Sequence, residues 1–292
     1  MEAKTLRDKA VLVKFTGHGW GAHKIDHAAQ ERVAKLYGAK HSRVGWYRKY
    51  LLPKEVIAQW WQVVGAARAT HHQNSLPWMD GSVRMVPVTN LQHYEAEMKK
   101  HIREGDKVKA DIVGNYEKYQ REGMLLLGKM ANKADYPTKE RIAAMFDLEI
   151  RVTPVPDLAD WRIDYPAKEM AKLRKQAQDT LSEIQREAIA ELWERLHDVV
   201  RHAVETLSDK DKTFRNSLFE NLKKVTTLLT KLNLTSDKHL EALRKEVEAK
   251  LAKQTPDEVR ASAGHRSKLA GEAKAILKKM ESYMGTSAKV SK

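Results

Sequence analysis

The second half of the chain, from Pro166 onward, repeats apolar residues every three or four positions. No proline occurs between Pro166 and Pro256, and most residues there favour helix. The first apolar series predicts one helix of about 40 residues, roughly 60 Å long at 1.5 Å per residue. Its apolar positions are Met170, Leu173, Ala177, Leu181, Ile184, Ala188, Leu192, Leu196, Val199 and Ala203. Three further helices are expected over residues 214–232, 236–251 and from 255 onward.

The first 165 residues have shorter and more mixed patterns. Short β-branched or alternating runs predict strands at 10–15, 82–88 and 148–156. The second of these is expected at a sheet edge, because Pro87 lacks a backbone donor. Helical spacing predicts helices over 26–37, 53–70, 89–119 and 138–146. Residues 41–51 fit either a strand or an irregular segment.

These patterns predict an α+β fold dominated by helices. A small mixed α/β region would occupy residues 1–165, and a long-helix bundle or coiled-coil-like arm would occupy residues 166–292. A helix of about 40 residues usually packs on partner helices, in the same chain or in another copy. Self-association through the helical arm is therefore expected.

Composition narrows the class of protein. Of the 292 residues, 42% are hydrophobic, which is enough for a folded core. The absence of cysteine excludes disulfides, thiolate zinc sites and cysteine nucleophiles. No apolar run has the length of a signal peptide or of a membrane helix. We expect a soluble cytoplasmic protein that has no membrane association.

Positive charge is concentrated at the two ends of the chain. The net charge is +14, and residues 1–54 hold 12 Lys and Arg against 4 Asp and Glu. Residues 259–292 hold 8 against 2, so the middle of the chain is neutral on balance. Such a distribution favours a polyanionic partner, either nucleic acid or an acidic protein.

One basic segment, KHSRVGWYRKY (residues 40–50), interleaves cations with aromatic residues. Cations can neutralise phosphates, and aromatic faces can stack on unpaired bases of DNA or RNA. The alternative is a half-buried strand whose aromatic side chains lie in the core and whose charges are solvated. The candidate nucleic-acid contacts are Lys14, Lys24, Lys40, Arg43, Trp46, Arg48 and Lys49.

The glycine-rich loop TGHGWGAHKIDH (16–27) formally matches a dinucleotide fingerprint, but the expected ribose-binding acid about 20 residues later is missing. Its three histidines lack a metal-ligand spacing. We therefore predict neither cofactor nor metal, and interpret this segment as a loop at the rim of a basic patch. Nor does the chain carry a recognisable catalytic motif, so no catalytic residue is assigned and a binding protein is favoured over an enzyme.

Three segments together resemble a known family. They are the strand and loop with Trp20 and Lys24, the tract NKADYPTKERIAAMFDLEIRVTPVPD (132–157), and the helical tail after Ile163. They are similar to a domain-of-unknown-function family of tailed-phage, prophage and bacterial proteins, often encoded near a MoxR-type AAA+ ATPase. The resemblance implies a phage or mobile-element setting and an ATPase partner. It implies no activity or catalytic residue.

The function expected from these features is binding without catalysis. The basic N-terminal region would hold nucleic acid, and the helical arm would mediate self-association or partner docking. Two alternatives stay open. The chain would act as an interaction adaptor of an AAA+ ATPase, with the helical arm as its binding surface, or as a virion or scaffold component.

Overall fold

The computed structural model describes residues 6–79, 81–157, 160, 165–209 and 213–289, with side chains placed as far as Tyr283. Helices account for 71% of the structure, beside a small antiparallel sheet region, so the predicted helix-dominated α+β class is confirmed. Among the described residues, no helix combines the length and the apolarity that crossing a membrane requires.

The described elements follow the chain in a mixed order. The helices are α1 (Leu6–Lys9), α2 (His27–Leu36), α3 (Lys54–Gln73), α4 (Val88–Gly114), α5 (Tyr116–Leu127), α6 (Lys139–Met145), α7 (Ala167–Ser208), α8 (Ser217–Leu232), α9 (Lys238–Val247), α10 (Pro256–Ala261) and α11 (Ala263–Lys289). The strands are β1 (Ala10–His18), β2 (His23–Ile25), β3 (Arg48–Tyr50), β4 (Leu76–Pro77), β5 (Val83–Pro87) and β6 (Asp147–Pro154). Short 3₁₀ turns lie at His41–Arg43, Gly128–Met130 and Lys133–Asp135.

The strands form one sheet in the order β4-β5-β1-β6 and a separate hairpin of β2 with β3. The sequence predicted β5 at a sheet edge, and this was wrong, because β5 lies between β4 and β1. The two residues of β4 pair antiparallel with β5 at Leu76↔Met85 and Pro77↔Arg84. Pro87 is tolerated because it is the last residue of β5, beyond the two pairs made with β4.

Two compact units are present, and neither is continuous in sequence. The helical unit contains Met1–Val13, Asn74–Gln92 and Val152–Lys292, and the inserted unit contains Lys14–Gln73 and His93–Arg151. This division differs from the single boundary predicted after residue 165. The reason is packing: apolar side chains from β1, β4 and β5, such as Leu12 and Met85, lie in the same core as the C-terminal helices.

The helical unit is organised around α7, which has 42 residues. Its buried side chains extend from Met170 to Leu207, and it packs along α8 and α11. The predicted long helix is therefore part of a bundle. The last predicted helix is divided at Ser262 into α10 and α11. The helix expected over 236–251 begins after Asp237, whose carboxylate caps α9 by accepting from the backbone N–H groups of two of its residues.

The inserted unit packs α3 through Trp60, whose ring lies edge-on to that of Phe146 at 5.1 Å between centroids. The predicted helix over 89–119 is divided at Asn115, whose side chain donates to the Asp111 carboxylate at 2.7 Å. The following helix, α5, approaches the 51–52 segment closely: a Cβ on Gly123 would lie 1.9 Å from the Leu51 carbonyl oxygen. Only glycine allows this contact.

Candidate nucleic-acid interface

The hairpin of β2 and β3 places two of the candidate residues face to face. The strands pair antiparallel with Lys24 opposite Lys49. Like charges directly opposite each other destabilise a hairpin. Asp135 relieves the repulsion, because its two carboxylate oxygens lie 2.6 Å from Lys24 Nζ and 2.7 Å from Lys49 Nζ.

A second carboxylate completes this cluster. Asp26 caps α2 by accepting from the Ala29 backbone N–H at 2.9 Å, and its other oxygen lies 3.5 Å from Lys49 Nζ. We call Lys24, Asp26, Lys49 and Asp135 the lysine clasp. The side chains of Lys49 and Asp135 are 10% and 5% exposed, so the pair is largely covered. The Lys49 ammonium also donates to the Met130 carbonyl at 3.1 Å.

Hydrogen bonding and charge favour the ionised forms of Asp26, Lys49 and Asp135. The hydrogen bond from Lys24, then that from Lys49, lowers the pKa of Asp135. The hydrogen bond to Asp135 raises the pKa of Lys49. The backbone hydrogen bond from Ala29 is the largest influence that lowers the pKa of Asp26. Lys24 and Lys49 therefore tie the hairpin to α2 and to the 3₁₀ turn at Lys133–Asp135.

Strand alternation directs the neighbours of Lys49 outward. Arg48 and Tyr50 flank it on β3, and both are exposed while Lys49 is half-buried. The segment before β3 is not a half-buried strand, which was the alternative for residues 40–50. It contains the 3₁₀ turn at His41–Arg43, and the Tyr47 carbonyl accepts from the Asp26 backbone N–H at 2.8 Å.

The aromatic side chains of this segment face solvent. Trp46 is 68% exposed, and Tyr47 and Tyr50 are each more than 40% exposed. Lys40, Arg43 and Arg48 are exposed as well, and within the described part of the chain none of the three has an ion-pair partner. We call Lys40, Arg43, Trp46, Tyr47, Arg48 and Tyr50 the aromatic–basic surface. Its rings and cations are accessible at the same time.

The seventh candidate, Lys14, stands apart from this surface. It is exposed on β1, and no contact among the described residues joins it to the aromatic–basic surface. The structure thus brings Lys24 and Lys49 together in the clasp. Lys40, Arg43, Trp46 and Arg48 share one chain segment, and Lys14 lies on a different element.

The segment expected to be a loop over 16–27 is a loop at 19–22, because β1 continues to His18 and β2 covers His23–Ile25. A glycine of this loop has a packing role. A Cβ on Gly19 would lie 2.3 Å from Trp60 Nε1, so this glycine lets the loop approach a buried ring. Trp60 is 1% exposed and Trp61 is 41% exposed, as expected for adjacent residues about 100° apart on a helix. In the described ranges, no group of three or more His, Asp or Glu side chains is placed to hold a metal.

Cations of the helical unit are arranged differently. Arg266 donates to the carbonyls of Leu207 and Thr206 at 3.1 and 2.9 Å, near the C-terminal end of α7. Arg260 donates to the Phe214 carbonyl at 3.1 Å. These two arginines, which belong to the basic stretch at residues 259–292, cap backbone carbonyls.

Sequence reasoning missed the role of Asp135 and the exposed apolar residues near it. Asp135 is 111 residues from Lys24, and no local pattern connects the two. The run GMLLLGKM (123–130) did carry a signal, because three consecutive leucines on a helix cannot all face one core. Leu125 and Leu126 are exposed there.

Comparison with known proteins gives no relative. No protein-family model matches the chain, and no curated protein and no solved structure is significantly similar to it.

Proposed function

We propose that this chain is a binding protein that holds single-stranded nucleic acid on the aromatic–basic surface. The observation that carries the proposal is the exposure of Trp46, with two exposed tyrosines beside it and cations without ion-pair partners among the described residues. Exposing a tryptophan to water is unfavourable, and a flat partner would remove that cost. An unpaired base offers such a face.

The chemistry of contact divides between the two residue types. Lys40, Arg43 and Arg48 would contact phosphates, and the guanidinium groups would do so through paired N–H donors. Trp46 and its tyrosine neighbours would stack on bases without selecting their sequence. In a duplex the base faces are covered by neighbouring pairs, so the aromatic side chains favour an unpaired strand.

The lysine clasp would support this surface without contacting the strand. Lys49 lies between Arg48 and Tyr50 on β3 and is fixed by Asp26 and Asp135. Holding β3 in place presents the two flanking side chains outward in a fixed geometry. Under this proposal Lys24 and Lys49 act as positioning residues.

The test is fluorescence anisotropy with labelled single-stranded and duplex oligonucleotides at two salt concentrations. We expect tighter binding to single strands and a log–log salt slope of about −2 for three phosphate contacts. Trp46→Ala should weaken single-strand binding by about 1–3 kcal/mol. Trp61→Ala, which removes another exposed tryptophan of the same unit, should leave it unchanged. Undiminished binding by Trp46→Ala, or no binding at low salt, would contradict the proposal.

The broader setting stays a prediction. A phage or prophage origin and an AAA+ ATPase partner rest on the family resemblance alone. Self-association was expected from the long apolar stripe of α7. Most of that stripe is buried within the helical unit, and Leu173, Leu181 and Val199 are half-buried. Self-association stays a prediction.

A further inference from the structure

A groove of about 430 Å³ lies on the inserted unit between the start of α3 and the end of α5. Its walls combine aliphatic side chains with a few charged ones. The lining includes Arg48, Tyr50, Lys54, Glu55, Leu126 and Met130. We call this the leucine groove.

The α5 side of the leucine groove is unusually apolar for a surface. Leu126 is 79% exposed, and its neighbour Leu125 is 83% exposed. Gly128 follows with a φ of +52°, and this conformation ends α5 and leads to the exposed Met130. Single exposed leucines are ordinary, but adjacent leucines and a methionine beside a groove are typical of a protein-binding site.

The charged residues around the leucine groove are mainly cations. Arg48 and Lys54 line it, and neither has an ion-pair partner among the described residues. Lys54 Nζ lies 4.3 Å from the centroid of the Tyr50 ring. Lys129, next to Met130, is also exposed. Glu55 is the one carboxylate among the lining residues.

We propose that the leucine groove docks a segment of a partner protein that carries leucine-like side chains flanked by acidic residues. The aliphatic walls would bury the apolar anchors, and Arg48, Lys54 and Lys129 would face the acids. This interaction goes beyond nucleic-acid binding. Arg48 and Tyr50 belong to both sites, but the apolar anchors Leu126 and Met130 lie outside the aromatic–basic surface.

Two other occupants fit the groove less well. A nucleobase gains stacking energy from ring faces, and the α5 wall offers branched aliphatic groups. A second copy of this chain docking the same face symmetrically would bring Arg48 and Lys54 close to their own equivalents, and like charges would oppose that contact. A segment with both apolar and acidic side chains would contact the aliphatic walls and also pair with the surrounding cations.

The test uses the full chain and three dye-labelled helical peptides of equal length. One is built from leucine and glutamate, one from leucine and lysine, and one from serine and glutamate. We expect binding of the leucine–glutamate peptide alone. Leu126→Ser should weaken binding of this peptide about tenfold, because the apolar contact made by the covered leucine is lost.

Matched variants make the result specific. Leu36→Ser removes a leucine that is 76% exposed elsewhere on the inserted unit, and it should leave peptide binding unchanged. Lys54→Glu should weaken the leucine–glutamate peptide and strengthen the leucine–lysine peptide. Leu36 and Lys54 are both exposed, so these two variants should keep the helical circular dichroism of the unmutated protein.

Three outcomes would overturn the proposal. They are no binding of the leucine–glutamate peptide, equal binding of the leucine–lysine peptide, and binding that Leu126→Ser leaves unchanged. If anionic phosphatidylserine vesicles bind and Leu126→Ser abolishes that binding while no peptide binds, the groove faces a membrane instead. Trp46→Ala should impair nucleic-acid binding and spare peptide binding, so failure of one proposal is distinguishable from failure of the other.

Discussion

The two units carry similar excesses of positive charge, but they differ in how some of their arginines are bound. The inserted unit has 22 Lys and Arg against 14 Asp and Glu, and the helical unit has 31 against 25. In the helical unit several arginines face inward. Arg84 is buried and donates to Glu191 at 2.8 Å, and Arg244 is buried between Glu241 and Glu248. In the inserted unit, Lys40, Arg43 and Arg48 remain exposed.

The burial of the apolar side chains singled out above also differs between the two units. Most of the stripe of α7 is buried within the helical bundle, whereas the inserted unit leaves Trp46, Leu125 and Leu126 largely exposed. Net charge and apolar content therefore do not identify a binding face. What identifies one is the fraction of cations and apolar groups that the fold leaves without an internal partner.

The largest expected effect concerns an inward arginine. Arg244→Ala would leave Glu241, Glu248 and the Thr226 carbonyl without their guanidinium partner, and should lower the free energy of unfolding by about 3 kcal/mol. Arg201→Ala, which removes an exposed ion pair with Asp198, should cost about 0.5 kcal/mol or less. Urea unfolding followed by circular dichroism measures both. Equal losses would refute the contrast between inward and outward arginines.

The next effect concerns the lysine clasp. Asp135→Asn would leave Lys24 and Lys49 facing each other without a shared counterion, and should cost about 2 kcal/mol. Lys35→Ala, which breaks an exposed pair with Glu31, is the control and should leave the free energy of unfolding nearly unchanged. Thermal unfolding would show the difference as separate shifts of Tm. If Asp135→Asn lowered Tm no more than Lys35→Ala does, the clasp would not be a stabilising element.

The contribution of the clasp should also depend on pH. The folded pKa of Asp135 lies below its ordinary value of 3.8, so the stabilisation is present above that value and is lost as the pH falls through the folded pKa. The folded pKa of Lys49 lies above 10.5, so its share is present below that value and is lost as the pH rises through the folded pKa. Wild type and Asp135→Asn should differ most near neutrality and converge in acid, as unfolding at several pH values would show.

The smallest expected effect is on the salt dependence of nucleic-acid binding, and it distinguishes a cation of the inserted unit from one of the helical unit. Arg43→Ala should reduce the magnitude of the salt slope for single-stranded oligonucleotides by about 0.7, because one phosphate contact is lost. Arg266→Ala should leave the slope unchanged, since its guanidinium is bound to backbone carbonyls. Anisotropy titrations across a salt series measure both slopes. A change with Arg266→Ala would mean that the inward cations also face the nucleic acid.

Local features of the fold were predictable from the sequence, and long-range pairings were not. The periodicity of α7 and the start of α2 near residue 26 depend on residues within a few positions of each other, and both are present as expected. The position of β5 inside its sheet depends on the pairing with β4 and β1, which no local pattern encodes. The assignment of β1, β4 and β5 to the helical core has the same origin.

The candidate surface shows the same division. The interleaving of Arg43, Trp46 and Arg48 was visible in the sequence, but whether the aromatic rings would face solvent depended on the local backbone. The covering of Lys49 depended on Asp135, which lies far away in the chain. Lys24 pairs with the same carboxylate but keeps 54% of its side chain exposed. Residue type indicated the chemistry, and tertiary structure decided which residues are accessible to it.

The discontinuous division of the chain has a consequence for the order of folding during synthesis. The inserted unit is complete once residue 151 has left the ribosome, whereas the helical unit still lacks all of its segment from Val152 to the C-terminus. Domains generally fold as units as they emerge. The aromatic–basic surface and the leucine groove can therefore form on the nascent chain. The apolar residues of β4 and β5 stay uncovered until the helices that pack on them have been synthesised.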